Sequence, residues 1–226
     1  MTTKDILRQI IELSNPKHAR ISDEDSKTSD KIYAVGLMKL RAIARAAGRD
    51  HERALALWDS GVHEGKLVAT LTEEPKKVTS KQLDKQVREV RSFDLADYFA
   101  KNVVAKTDFL LEKANKWTGM KQPAFVRRVG YACVCVLAKS SKTLDNNYFA
   151  KHLTIIEIEI KDASNWVKEG QNHALLAIGC RNQALNTKAL KVADVIGEIT
   201  VKYGDTSCKT TDAFHILSSE KIQRKL

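Results

Sequence analysis

Apolar residues recur at helical spacing along almost the whole chain, with only short breaks between the runs. One run contains Leu37, Leu40, Ile43 and Ala44 and ends at Gly48, a residue type that commonly follows the last turn of a helix. Proline occurs 3 times and glycine 10 times among the 226 residues, too rarely for a sandwich or barrel rich in turns. The sequence therefore predicts an almost wholly α-helical protein.

Local signals divide this pattern into roughly eleven or twelve helices of about 10–17 residues. A first helix ends near Asn15-Pro16, and the polar residues 17–31 form a weak helix or an ordered loop. The alternating run Thr154–Ile160 is interpreted as helix, because a lone strand would have no partner. Further helices are predicted to start at Asp50, Thr79, Ser92, Asp108 and Thr210–Thr211, and the long C-terminal ones to span about 145–160, 164–179 and 186–203.

The predicted helices form pairs that repeat about every 35–45 residues, although no strict sequence repeat is visible. This arrangement favours an α-solenoid, a single repeat domain over residues 1–226 in which 1–32 supply N-terminal helices. A solenoid has a concave face on which a long, rod-shaped ligand can lie.

Lys and Arg outnumber Asp and Glu by 38 to 28, which gives a formal net charge of +10. Such an excess favours a polyanionic partner, because phosphate contacts release condensed counterions. The alternative is that the charge only keeps the protein soluble.

The amino-terminal sequence does not resemble a signal or transit peptide, and no run of about 18 apolar residues could span a membrane. The four cysteines show no CxxC pairing and are interpreted as reduced core thiols. We therefore expect a cytoplasmic protein, associated with the nucleoid if it is bacterial.

Two carboxylates, Asp94 and Asp97, lie three residues apart near a predicted helix start, so they share one side of that helix. An aspartate in the first turn usually caps the helix or interacts with its dipole, and this explains Asp94 well. Asp97 is deeper in the helix, where it could stabilise a cationic transition state or serve only a structural role.

Two arginines, Arg127 and Arg128, occupy the first turn of an apolar helix, where the helix dipole disfavours positive charge. A bound phosphate would offset this cost. An ion pair with a carboxylate on a neighbouring helix is the alternative.

A third segment contains Asn172 and His173 in mid-helix, with Lys168, Arg181 and Lys188 at helix ends. A lone mid-helix histidine is more often a hydrogen-bonded structural residue than a catalyst. Most terminal cations of this kind face solvent.

No phosphate-binding or dinucleotide-binding glycine motif, HExxH or GxSxG is present, and no His, Cys and Asp cluster has the spacing of metal ligands. These absences argue against nucleotide hydrolysis, nicotinamide chemistry and zinc catalysis. We expect no cofactor and no metal.

Four ordered runs nevertheless resemble the AlkD-related DNA alkylation-repair family. They cover most of the chain from about residue 33 onward. The runs are RDHERALALWDSGVHEGKLVATLTEEP (49–75), RSFDLADYFAKNVV (91–104), QPAFVRRVGYA (122–132) and NHALLAIGCRNQALN (172–186).

This resemblance implies HEAT-like helix pairs that cradle duplex DNA and an N-glycosylase that removes purines alkylated at N3 or N7. Such a base is positively charged and leaves readily, and a carboxylate can stabilise the oxocarbenium-like sugar that remains. The partner would be duplex DNA with alkylated bases, with no membrane or nucleotide cofactor, and we expect a monomer.

Matched to the family motifs, Asp97 corresponds to the catalytic carboxylate and Arg128 to a contact with the DNA backbone. Phe93 and His173 replace two tryptophans, and Leu176 replaces a second arginine. Further DNA-binding candidates are Asp94, Arg127 and Arg181. Two alternatives remain open, namely a catalytically silent module that binds damaged or branched DNA and a HEAT-type scaffold that binds another protein.

Overall fold

The chain is helical in a computed structural model that describes residues 1–15, 28–203 and 208–226. About 69% of the described residues are helical, and the described ranges contain no strand. The α-helices found there are α1 (Thr3–Glu12), α2 (Leu37–Ala47), α3 (His51–Trp58), α4 (His63–Thr72), α5 (Ser80–Gln86), α6 (Phe93–Asn102), α7 (Leu110–Thr118), α8 (Ala124–Ser140), α9 (Asn146–Glu159), α10 (Asn165–Gly179), α11 (Gln183–Ile196), α12 (Ala213–Ser218) and α13 (Glu220–Gln223).

Three predicted helix starts are confirmed by hydrogen bonds at the caps. The side chains of Asp50, Thr79 and Ser92 each accept a bond from the backbone N–H three residues later. The alternating run Thr154–Ile160 is helical as predicted, since Thr154 to Glu159 lie in α9 and Ile160 caps its end. Of the predicted segment 17–31, residues 17–27 lie outside the described residues. Residues 28–31 contain no helix.

Some helix boundaries differ from prediction for local reasons. The helix predicted over 186–203 ends at Ile196, because Gly197 takes a left-handed conformation with φ 64°. Helix α12 starts at Ala213 rather than near Thr210–Thr211, because the Asp212 side chain caps it by accepting the His215 N–H. Helix α7 starts at Leu110 rather than next to the predicted cap Asp108, after a turn in which the Thr107 hydroxyl accepts from the Phe109 N–H.

The structure divides into two compact units, Met1–Phe109 and Leu110–Leu226, which we call the N-terminal and C-terminal units. A repeat array can divide in this way because each repeat mainly contacts its neighbours. The single-domain organisation therefore stays a prediction. No helix in the described ranges is long and apolar enough to cross a bilayer.

In the N-terminal unit, α4 lies at the centre and packs against α2, α3 and α6. Leu67, Val68 and Ala69 of α4 are buried, with Val68 at 0% exposure, and so are Leu40 of α2 and Leu95 of α6. This packing fixes the position of α6, the helix that carries the two predicted carboxylates.

In the C-terminal unit, α8 packs against both α7 and α10. Gly130 permits the close approach of α7, because a Cβ atom at this position would lie 2.6 Å from the Thr118 nitrogen. The early part of α8 is buried on nearly every side, which explains why its sequence is apolar around most of the helix.

The interpretation of the cysteines as core thiols is correct for one of them and wrong for two. Cys133 is buried in α8 and Cys135 is half-buried. Cys180 and Cys208 are exposed, because the former follows the end of α10 and the latter lies outside the helices.

Candidate nucleic-acid interface

The first turns of α6 present a mixed aromatic and acidic surface. Ser92 caps the helix, and Phe93 directly follows it with 39% of its surface exposed. Asp97 follows Phe93 by four residues and Asp94 by three, so it is a neighbour of each on the helix surface. The N-terminal unit therefore places the three predicted residues of this motif together.

Asp94 is held by His63, the first residue of α4. The His63 Nε2 atom lies 3.4 Å from Asp94 Oδ2, and Asp94 Oδ1 accepts the Leu95 N–H at 2.7 Å. Burial alone would raise the pKa of Asp94, but the bond and charge of His63, together with hydrogen bonds from Ser92 and the Leu95 N–H, outweigh it and lower the pKa. Burial likewise opposes a charged His63, yet Asp94 raises the pKa of the imidazole above its usual value. Asp94 thus fixes the start of α6.

Asp97 is half-buried one turn further along α6. The next residue, Tyr98, accepts a hydrogen bond from Arg41 Nε at 2.8 Å, and the Arg41 guanidinium lies 5.6 Å from the centre of the tyrosine ring. Arg41 is exposed on α2. An exposed cation is therefore fixed beside the helix that carries Asp97.

Three further exposed cations gather near the end of α6. Burial lowers the pKa of Lys106, and the positive charges of Arg49 and Lys101 lower it further. Arg49 is held in place by a bond from Nη1 to the Glu73 carbonyl at 2.8 Å. We call Arg49, Lys101 and Lys106 the basic cluster.

In the C-terminal unit, Arg127 is engaged by its own surroundings. Its Nη2 atom pairs with Glu159, and its Nε atom donates to the Thr118 carbonyl at 2.9 Å. Its guanidinium also lies 5.7 Å from the centre of the Tyr131 ring. Only 13% of the side chain is exposed.

Arg128 is deeper, with 1% of its side chain exposed. Its Nε and Nη2 atoms each lie 3.0 Å from Glu169 Oε2 on α10. Burial raises the pKa of Tyr203, and the charge of Glu169 and a hydrogen bond to it raise that pKa further. The two adjacent arginines thus both form ion pairs, the alternative that the sequence left open, and a direct backbone contact by Arg128 stays a prediction.

His173 and Leu176 are half-buried on α10 and share one side of that helix. Glu169 lies one turn before His173, so the partner of Arg128 and the predicted DNA-facing histidine are neighbours. Arg181 has a structural role at the end of α8, where its guanidinium donates to the carbonyls of Ala138 at 2.8 Å and Ser141 at 2.6 Å.

The predicted residues are divided between the two units. The N-terminal unit holds Phe93, Asp94 and Asp97, while the C-terminal unit holds Arg127, Arg128, His173 and Arg181. Sequence reasoning missed His63 and the basic cluster. His63 could have been found from the sequence, because it belongs to the His63-Glu64 pair at the start of a helix in run 49–75. The basic cluster could not, because its cations come from distant positions in the sequence.

Among the residues that the structure describes, no group of three or more His, Cys, Asp or Glu side chains is arranged to hold a metal ion.

A family model described as DNA alkylation repair enzyme matches residues 6–211. The chain belongs to the DNA alkylation repair enzyme family. This finding confirms the resemblance carried by the four sequence runs.

Two relatives span nearly the whole length of this family member. One is an uncharacterised protein of Listeria innocua serovar 6a, 24% identical over 214 residues and covering 92% of each chain. The other is an uncharacterised protein of Listeria monocytogenes serovar 1/2a, 22% identical over 218 residues and covering 94% of each chain.

A solved structure shares the fold with a TM-score of 0.84 and 17% identity, and it covers 100% of this chain and 96% of the other. It is described as belonging to a new family of proteins related to the HEAT-like repeat DNA glycosylases with affinity for branched DNA structures. The HEAT-like, all-α fold predicted from the periodicity and the resemblance is confirmed.

Proposed function

We propose that this protein is a DNA-repair glycosylase that binds duplex DNA and excises alkylated purines, with Asp97 as its catalytic carboxylate. The observation that carries the proposal is the surface of α6. This helix presents the exposed Phe93 and the half-buried Asp97, while Arg41 contacts Tyr98 and the basic cluster lies near the end of the helix.

The basic cluster is suited to the DNA backbone. Burial lowers the pKa of Lys106, and repulsion by the charges of Arg49 and Lys101 lowers it further. A phosphate placed among them relieves this repulsion and releases its condensed counterions. Membership of the DNA alkylation repair enzyme family supports the same partner.

The proposed chemistry is cleavage of the bond between the deoxyribose C1′ atom and the alkylated purine. The purine leaves with the electron pair of that bond, which neutralises its positive charge, and an oxocarbenium-like sugar remains. The Asp97 carboxylate stabilises this cation and accepts a proton from the water that attacks C1′. The Phe93 ring lies one turn earlier on the same side, where it can pack against the sugar.

Base release tests the proposal directly. Methylated duplex DNA incubated with the protein is expected to release free 3-methyladenine or 7-methylguanine, detected by mass spectrometry. Asp97→Asn keeps the shape of the side chain and removes its charge, so it should lower the rate at least about 100-fold. The matched control is Asp108→Asn, an exposed aspartate outside α6, which should retain full activity. Equal rates for Asp97→Asn and the unchanged protein would exclude Asp97 as the catalytic group.

A second candidate is binding of branched or damaged DNA without excision. The ion pair of Arg128 with Glu169 favours this candidate. Arg128 is the arginine that the family motif assigns to the DNA backbone, and Glu169 already balances its charge. The solved relative belongs to a family with affinity for branched DNA structures. Tight binding of a DNA junction, with no base released at any pH, would select this candidate over the glycosylase.

A further inference from the structure

A cleft of about 460 Å³ opens in the C-terminal unit between the end of α7, the start of α8 and the middle of α9. Its size falls within the range of about 300–1,000 Å³ that small-molecule sites occupy. Tyr131, Tyr148 and His152 supply three rings to its lining. The Tyr148 and His152 rings meet edge to face with centroids 5.0 Å apart. Aromatic walls of this kind are surfaces on which nucleic-acid bases stack.

His152 is the feature of this cleft that the fold does not explain. It is 6% exposed, and its Nδ1 atom is buried without a hydrogen-bond partner in the described part of the chain. The hydroxyl groups beside it are satisfied, since Tyr148 donates to Asn115 and Tyr131 accepts from Gln171. An unsatisfied buried polar group destabilises a protein and is usually retained for a reason.

The imidazole is suited to an uncharged hydrogen-bonding partner. Burial lowers the pKa of His152 to about 4, so the ring is neutral near pH 7. A neutral imidazole offers one N–H donor and one lone pair, the same kinds of group that line the edge of a nucleobase.

The cleft also carries positive charge. Lys121 and Lys151 are exposed along its lining, together with Arg127, whose charge is balanced by Glu159. Two lysines next to an aromatic cleft are suited to bind the phosphates on either side of a base that lies in the cleft. The sequence has no glycine-rich phosphate loop, and two lysines alone hold a free nucleotide only weakly. A nucleotide within bound DNA can be held despite this weak binding, because the rest of the DNA keeps it next to the cleft.

We propose that the cleft receives one unstacked nucleotide of branched or distorted DNA, with its base against the aromatic wall and near His152 and its phosphates near Lys121 and Lys151. This inference rests on the proposed DNA binding and extends it to the class of DNA recognised. An unpaired base enters the cleft at the lowest free-energy cost, because no base pair has to open first.

The test compares a perfect duplex with a duplex that carries a single bulged 2-aminopurine, whose fluorescence reports its environment. The unchanged protein should bind the bulged DNA about 10-fold more tightly and change the fluorescence of the bulge. His152→Leu should reduce this preference roughly 5- to 10-fold, the loss expected for one hydrogen bond, and leave duplex affinity unchanged.

His152→Leu should also keep or raise the Tm, because it removes an unsatisfied buried polar group. Loss of bulge binding by this variant would therefore not reflect misfolding. Lys151→Ala should weaken bulge binding as well, whereas Ile158→Ala, on the same helix at a position 73% exposed and outside the cleft lining, should not.

Three outcomes would overturn the inference. If the protein binds duplex and bulged DNA equally well, or if His152→Leu keeps the preference, the cleft does not hold a base while DNA binding itself stands. If free deoxynucleotides at micromolar concentration displace the bulge, the cleft serves free nucleotides instead. If no DNA binds at any salt concentration, both this inference and the proposed function fail.

Discussion

At the scale of single residues, the pairing of Arg128 with Glu169 matters most for interpreting this family member. Both side chains are almost fully buried, at 1% and 5% exposure. Removing one partner of a buried ion pair leaves the other charge without compensation, at a cost of about 3–5 kcal/mol. We expect Glu169→Ala to lower the free energy of unfolding by this amount, measured by urea denaturation.

Replacing both partners separates a structural role from a DNA contact. Arg128→Met combined with Glu169→Leu should be more stable than either single variant, since no unpaired charge remains. If Arg128 serves only the fold, the folded double variant binds DNA like the unchanged protein. A drop in its affinity and salt dependence would instead support the backbone contact implied by the family motif.

The pair of His63 and Asp94 predicts a pH dependence of stability. The raised pKa of His63 means that its stabilisation is complete below the ordinary value of about 6.5 and is lost as the pH rises through the raised pKa. The lowered pKa of Asp94 means that its contribution is present above about 3.9 and is lost as the pH falls through the lowered pKa. Glu64 and Asp30 add to the raised pKa of His63.

The pair therefore stabilises the fold most between about pH 4 and 6.5. We expect His63→Gln to lower the Tm by about 2–4 °C at pH 5.5 and by less at pH 8.5, measured by thermal unfolding at both pH values. His215→Gln, at an exposed histidine of α12, is the matched control. An equal loss of Tm at both pH values would show that the pair does not titrate in this way.

Residue types were easier to predict than their partners. The motif spacing was sufficient to single out Asp97 and the two adjacent arginines. Their ion-pair partners, Glu159 and Glu169, are 32 and 41 residues away in the sequence. Only the packing of α8 against its neighbours decides between an ion pair and a bound phosphate, and no local pattern encodes that choice.

At the scale of helices, local chemistry predicted starts better than ends. A capping side chain lies next to the amide that it binds, so Asp50, Thr79 and Ser92 could be found from sequence. The end of α11 depends on the left-handed backbone of Gly197, which apolar periodicity does not reveal because apolar residues continue beyond it.

The contact of α7 with α8 gives a prediction at this scale. A Cβ atom at position 130 would lie 2.6 Å from the Thr118 nitrogen and 2.8 Å from the Trp117 carbonyl carbon. Gly130→Ala should force the two helices apart and destabilise the protein by about 1–3 kcal/mol, measured by urea denaturation.

Gly119→Ala is the matched control, because a Cβ atom there would have no contact closer than 3.6 Å. It should change stability by less than about 0.5 kcal/mol. Equal effects of the two substitutions would mean that the close approach of α7 does not determine the stability change at position 130, since helix propensity alone favours alanine over glycine within α8.

At the scale of the whole molecule, the fold class followed from features that act along the entire chain. Helical periodicity and the scarcity of proline and glycine were enough to predict an all-α protein, and the family runs added the HEAT-like type. Net charge predicted a polyanionic partner but not where it binds. The basic cluster could not be located, because Arg49 is more than 50 residues from Lys101 and Lys106 and folding alone brings them together.

The basic cluster makes DNA binding measurable as a salt dependence. If Lys101 and Lys106 each neutralise one phosphate, the logarithm of the binding constant falls less steeply with the logarithm of salt concentration once both are removed. Lys101→Ala with Lys106→Ala should reduce that slope by about 2 and weaken duplex binding, measured by fluorescence anisotropy from about 50 to 200 mM salt. The matched double variant, Lys4→Ala with Lys81→Ala, removes the same charge from exposed positions on α1 and α5. If both double variants change the slope equally, net charge alone drives binding and the surface around α6 is not the interface.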